Sequence, residues 1–267
     1  MKLYLHLVIL AIACTSITSF AGSQQEAQAV FQTDEITRFA KSVEKYAAQQ
    51  QARAFIIARV GRPEKELPKG IKFTHTAIAV YSAITLEDGK TVKGYAIHNL
   101  YQREGKLDKS DLVIDYPVDF FWGAQEMKAG IIIPTPELQN RIIKLIASGK
   151  NKTLHNENYS VIANPFTNEL QNCTEHTLDI INAAIYQSTN KQQLKLNAKQ
   201  HFSPQVVSTN RFKLALGSIF MDDVTTKDHQ GRIQTATFTT IAKYLANNKL
   251  ATQTVTFDQQ GEVVNIL

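Results

Sequence analysis

Two β-patterned runs meet at a single turn signal, and this pairing limits the fold more than any other stretch of the chain. Residues 73–85 and 92–100 are rich in apolar and β-branched residues, and between them stands Glu87-Asp88-Gly89-Lys90. Asp-Gly supplies the positive φ that a tight hairpin needs. An antiparallel pair is therefore predicted, with His75, Ala77 and Ala79 on one face of the first strand and Thr76, Ile78 and Val80 on the other. A second histidine, His98, lies on the partner strand, and whether it shares a face with His75 depends on the register, which the pattern leaves open.

Around this hairpin the chain alternates elements. Helical spacing of Ile36, Phe39, Ala40, Val43 and Tyr46 predicts a helix over 34–50, and the run 54–60, ended by Gly61-Arg62-Pro63, predicts a buried strand. A strand over 129–134 precedes a helix opened by Pro136 and reaching Ala147. Further expectations are a strand over 159–163, a helix over 171–186 with Cys173 in its first turn, helices near 210–220 and 238–247, and a hairpin of 252–257 with 262–266. Helices that precede and interrupt mostly antiparallel strands make an α+β fold. At 267 residues and 43% hydrophobic the chain can fill one core. The expected layout is a leader over 1–21 and one domain over 22–267, its core about 52–190 and its helical and hairpin extension 191–267. No Walker-type loop, G-x-S-x-G elbow or dinucleotide fingerprint is visible, and no cofactor is expected. Trp122, in Asp119-Phe120-Phe121-Trp122-Gly123, belongs to an aromatic cluster expected to pack over the core.

The leader and the charges bear on location and partners. Lys2, the apolar stretch Leu7 to Ala13, and Ser19-Phe20-Ala21 before Gly22 match a cleavable signal peptide. Its apolar core is shorter than the ~20 residues that span a bilayer, so the expectation is an exported, periplasmic protein. The alternative is a lipoprotein anchored at Cys14, after Leu10-Ala11-Ile12-Ala13. The net charge of +5, from 29 Lys+Arg against 24 Asp+Glu, is too small to argue nucleic-acid binding. Lys191, Lys195 and Lys199 fall at i, i+4 and i+8, one stripe if the stretch is helical: a solvated face, or a peripheral contact with an anionic surface.

Only Cys14 and Cys173 exist, so an exported protein would carry one unpaired thiol and no disulfide framework. A buried apolar role is the ordinary fate of such a thiol. At a helix N-terminus, however, the unpaired N–H groups and the dipole favour the nucleophilic thiolate. It then needs a base, which His75 can be, and His98 can hold the tautomer of that base as the third member of a triad.

The segments Phe73-Thr-His75-Thr-Ala-Ile-Ala-Val80, Ala96-Ile-His98-Asn-Leu100 and Asn172-Cys173-Thr-Glu-His176 resemble the histidine, second-histidine and Asn-Cys motifs of the circularly permuted NlpC-type papain-like proteins, the group that includes lecithin retinol acyltransferase. There the Glu directly follows the Cys, whereas Thr174 intervenes here. Together with Val60-Gly-Arg-Pro63, Tyr159-Ser-Val-Ile-Ala-Asn-Pro165 and Gln171-Asn-Cys173, these segments resemble the bacterial domain of unknown function 2145, clearly over about 52–190. The resemblance implies a papain-like core with an antiparallel sheet packed on the nucleophile helix, Cys173 as nucleophile, His75 as general base and His98 as the polar third residue, with Asn99 in reserve. It implies a thiol hydrolase or acyltransferase that attacks an amide or ester in the cell envelope, in a peptide or a lipid acyl group, through a thioester. Two other readings compete: a zinc site of His75, His98 and Cys173, the correct ligand set for that ion, and a non-catalytic envelope-binding module on the same fold. His176, three residues after Cys173, is expected to be an exposed helix residue rather than a contact of the site, and Asp222-Asp223 a solvated loop or helix end.

Overall fold

The computed structural model describes residues 29–86, 88–208 and 225–267. The predicted leader, with Cys14, the helix near 210–220 and Asp222-Asp223 lie outside these residues. Among the described residues no helix is long and apolar enough to cross a membrane.

The chain forms helix α1 (Thr33–Gln49) and strand β1 (Ala54–Val60), then β2 (His75–Thr85), β3 (Thr91–Arg103), β4 (Lys106–Asp115), α2 (Pro117–Trp122), β5 (Glu126–Pro134) and α3 (Pro136–Ala147). It continues with α4 (Cys173–Tyr186), α5 (Lys191–His201), the short pair β6 (Gln205–Val206) and β7 (Gln234–Thr235), α6 (Phe238–Asn247), β8 (Ala251–Asp258) and β9 (Val263–Asn265). Seven strands make one sheet in the order β4-β3-β2-β1-β5-β8-β9, each neighbouring pair antiparallel. The fold is therefore α+β with an antiparallel sheet, as the element pattern implies.

Helices cover both faces of this sheet, which is why β1, at its middle, is buried at every position. Strand alternation divides its side chains between two cores. Phe55 and Ile57 join Ala77, Ala79 and Ile131 against Ile36, Phe39 and Val43 of α1 and Phe120 and Phe121 of α2. Ile56 and Ala58 join Ile78, Val80 and Ile132 against Leu138 and Ile142 of α3, Leu178 and Ile181 of α4, and Phe238 and Ile241 of α6. Each fully buried Ile, Leu or Phe is worth roughly 1.5–3 kcal/mol of transfer free energy, so the two cores hold the sheet from both sides. Gly130 of β5 is where α6 comes closest: a Cβ there would stand 2.6 Å from the Phe238 ring. Gly89 adopts φ +79° in the β2–β3 turn, the conformation the Asp-Gly signal foretells.

Several expectations are corrected. Residues 159–163 do not form a strand; a single bridge joins Tyr159 to Gln171, and the segment is tied down by side chains. The Thr235 hydroxyl donates to the Ala163 carbonyl, and Asn164 bonds Asp228 through both its backbone N–H (2.7 Å) and its side chain (3.0 Å). The missed strand β4 is the last in the sheet order on its side and begins with the charges Lys106, Asp108, Lys109 and Asp111, which hide it from hydrophobic periodicity; a bridge from Lys109 to Asn158 partly covers it. Of the lysine stripe, Lys199 is exposed and Lys191 half-buried, but Lys195 is not on a solvated face. The inward side of α5 is Leu194, Lys195 and Ala198, and the Lys195 ammonium is buried on two carboxylates.

Candidate active site

Helix α4 begins at Cys173 because Asn172 caps it: the Asn172 side-chain oxygen accepts from the Glu175 N–H at 2.9 Å. The other end of the same amide donates to the Val161 carbonyl at 3.0 Å. The first turn is pinned to β2 at Thr76, whose hydroxyl meets that of Thr174 at 3.3 Å and whose carbonyl accepts from Thr177 at 3.3 Å. These anchors bring the Cys173 sulfur to 3.9 Å from the Thr74 carbonyl oxygen, on the peptide that leads into His75. The sulfur also lies 3.8 Å from the Thr174 hydroxyl.

His75 opens β2 and is wholly buried. Its Nε2 lies 2.9 Å from the Asn99 side-chain oxygen. The Asn99 amide nitrogen donates to Asp115 Oδ2 at 2.9 Å, and the Tyr101 hydroxyl donates to the same oxygen at 2.5 Å. The Tyr101 ring stacks on the imidazole, centroids 4.8 Å apart and planes 6° apart, and Phe120 covers another side at 5.5 Å. The Arg59 guanidinium donates to the Phe120 carbonyl and lies over the Tyr101 and Phe120 rings. An amide oxygen can only accept, so Nε2 carries the proton and Nδ1 keeps its lone pair. Among the described residues Nδ1 has no hydrogen-bond partner, and thiol and imidazole are not hydrogen-bonded to one another.

The partner of His75 is thus Asn99 and not His98. In the β2–β3 register Ile78 stands opposite His98 and Ala79 opposite Ile97, so odd-numbered residues share the His75 face and His98 points to the α4 side. His98 lies near His176, itself buried, whose ring is 6.2 Å from that of His155. The expectation that His176 is exposed is corrected with it: α4 is flanked by the sheet on one side and by α5 on another, so its first turns are buried throughout. Nor do His75, His98 and Cys173 form a zinc trio, since β2 and β3 hold the two rings on opposite faces; among the described residues no group of three His, Cys, Asp or Glu is arranged to hold a metal ion.

Burial raises the Cys173 thiol above its ordinary pKa, against weaker opposing help from the Thr76 backbone and Arg59. Burial, and then the Arg59 charge, hold the His75 imidazole well below its usual value. The resting pair is therefore a neutral thiol and a neutral ring rather than a thiolate–imidazolium pair. Asp115 is raised by burial, against the Tyr101 hydrogen bond and the Arg59 charge.

Cys173 lines a cleft of about 840 Å³, its mouth included, with largely apolar walls that include Leu67, Pro68, Ile71, Phe73, Val161 and Ala236. Thr74, Tyr159, Asn172 and Thr235 add polar edges, and Arg62 and Glu66 also border it. Sequence reasoning found Cys173 and His75 and kept Asn99 in reserve; it missed Asp115, Tyr101 and Arg59. The signal for Arg59 was present, as a lone charge inside the otherwise apolar run Ala54-Phe55-Ile56-Ile57-Ala58-Arg59-Val60.

The model of a family described as an uncharacterised protein conserved in bacteria, domain of unknown function 2145, matches residues 46–245. Comparison with curated proteins and with solved structures returned no match in either.

Proposed function

The chain belongs to that bacterial family, and from this premise we propose that it is an exported cysteine-dependent hydrolase or acyltransferase on a circularly permuted papain-like core, cleaving an amide or ester of the cell envelope through a thioester. The observation that carries the reading is the hydrogen-bonded chain Asp115–Asn99–His75, which leaves Nδ1 free to accept a proton, at the strand end where the Cys173 sulfur lies 3.9 Å from the Thr74 carbonyl. Apolar cleft walls favour a substrate whose acyl portion is apolar.

The His75 ring stands on the α1 and α2 face of β2 and the Cys173 sulfur on the α4 face, so the reaction requires Sγ to leave the Thr74 carbonyl and reach Nδ1 around the start of β2; Nδ1 then takes the thiol proton, and sulfur attacks the substrate carbonyl carbon. The oxyanion meets the Cys173 backbone N–H, a first-turn amide that a helix leaves without an intrahelical acceptor. Collapse breaks the bond to the amine or alcohol, which leaves with the proton from the imidazolium. Water, or another hydroxyl or amine acceptor, then gives its proton to Nδ1 and attacks the thioester, and the thiol is restored.

The test is alkylation of Cys173 by iodoacetamide followed across pH, with turnover of envelope extracts in parallel. Cys173→Ala is expected to abolish labelling at that position and turnover while the protein still folds, and His75→Ala to slow labelling at neutral pH. Equal labelling rates in the wild type and His75→Ala, with no turnover, would overturn the reading. That outcome would support a second one, a non-catalytic envelope-binding module, which the sulfur held beside the Thr74 carbonyl and the neutral resting pair favour.

A further inference from the structure

We infer that Asp115 is a positioning residue of the site, acting on His75 through Asn99 by fixing which ring nitrogen carries the proton. This rests on His75 being the base of the reading above.

The argument is one of donors and acceptors. Asp115 Oδ2 receives two hydrogen bonds, from Asn99 Nδ2 and from the Tyr101 hydroxyl, so it can only be an acceptor. The Asn99 amide must therefore turn its nitrogen to Asp115, and its oxygen is left for His75 Nε2. A flipped Asn99 would set two acceptor oxygens against each other in a buried site and offer an N–H to the imidazole, forcing the Nδ1–H tautomer, in which Nδ1 has no lone pair to take a proton. Tyr101 locks the arrangement twice over, through its hydroxyl on the carboxylate and through its ring on the imidazole. The register makes this geometry: extending the β2–β3 pairing sets Tyr101 across from His75 and Asn99 diagonal to it on the same face, while Asp115 ends β4 opposite Ile97.

An amide at position 115, unlike a carboxylate, can both accept and donate. Asp115→Asn thus keeps the shape and releases the lock, because both orientations of Asn99 become satisfiable. The experiment is NMR of the His75 ring nitrogens together with iodoacetamide kinetics at Cys173. The wild type is expected to be held as the Nε2–H form; Asp115→Asn should give a mixture of tautomers and a loss of about tenfold in alkylation rate at neutral pH, with the protein still folding cooperatively. Tyr101→Phe keeps the ring stack and removes one donor, and should leave the Nε2–H form dominant. A single tautomer in Asp115→Asn, or an Nδ1–H form in the wild type, would overturn the inference. The tautomer is read without turnover: a locked Nε2–H ring beside an inert Cys173 would retain the positioning role and remove the hydrolase.

Discussion

Cys173 stands between two buried polar clusters, one behind its helix and one within its neighbouring strands. Behind α4, the Lys195 ammonium bonds Glu175 and both oxygens of Asp179 (2.8 Å each), and the Gln171 amide donates to Asp179 at 3.0 Å. Burial by itself would lower the Lys195 ammonium, but Asp179 and Glu175 outweigh it and hold it above its ordinary value. Burial, opposed by Lys195 and reinforced by Asp179, pushes the Glu175 carboxyl up to about 8. This cluster fastens α5 to α4, with Glu175 Oε2 left without a hydrogen-bond partner among the described residues. On the α1 and α2 side, Asp115, Asn99, Tyr101 and His75 form a line that ends in an unbonded nitrogen. The lesson is that neither burial of charge nor an unused acceptor distinguishes a fastener from a candidate site, since Glu175 Oε2 and His75 Nδ1 are both unpartnered; ion pairs joining two helices mark the first, and a chain of amide and imidazole running along neighbouring strands marks the second.

The largest expected effect breaks the fastener. Lys195→Met leaves Asp179 and Glu175 buried without their ammonium partner and should cost about 3–5 kcal/mol, measured by urea denaturation, whereas the same assay on Asp115→Asn should move far less. Next comes pH. Burial holds His176 down at about 3 and His75 well below its ordinary value, while both take up a proton near 6.5 when unfolded. Below that pH the unfolded chain binds more protons, so stability falls with acidification, at up to about 1.4 kcal/mol per pH unit for each ring. His176→Leu should flatten the slope between about pH 6.5 and 4 by that amount, in urea midpoints taken across the range; an unchanged slope would mean that the ring protonates in the folded state. The smallest effect sharpens the open line: Tyr101→Phe removes one hydrogen bond from Asp115 and should cost about 1 kcal/mol.

Much of this arrangement was legible in the sequence. The hairpin, the buried strand 54–60, the helix from Pro136 to Ala147 and the placing of Cys173 in the first turn of a helix follow from turn chemistry, period and capping, which act over a few residues. The hydrogen-bond partner of the His75 ring was not, because its identity depends on parity. Thr85 opposite Thr91 puts odd positions with odd; a turn one residue longer would have set His98 beside His75 and turned Asn99 away. Lys195 misled for a related reason. A lysine on the inner face of α5 is tolerable only because Glu175 and Asp179, four apart on α4, face it, and period alone does not reveal partners on another helix.

The order of the strands has a consequence for how the molecule is made. Strand β5 borders β1 on one side and finds its other neighbour, β8, roughly 120 residues downstream; the α6 ring that seats on Gly130 comes from the same late stretch. A chain emerging from the ribosome can pair β1, β2, β3 and β4 early, but it carries Ile131 and Ile133 along an unfinished border until translation passes residue 258. During that interval it exposes an edge open to mispairing, and holding the nascent chain unfolded until then is the simplest protection.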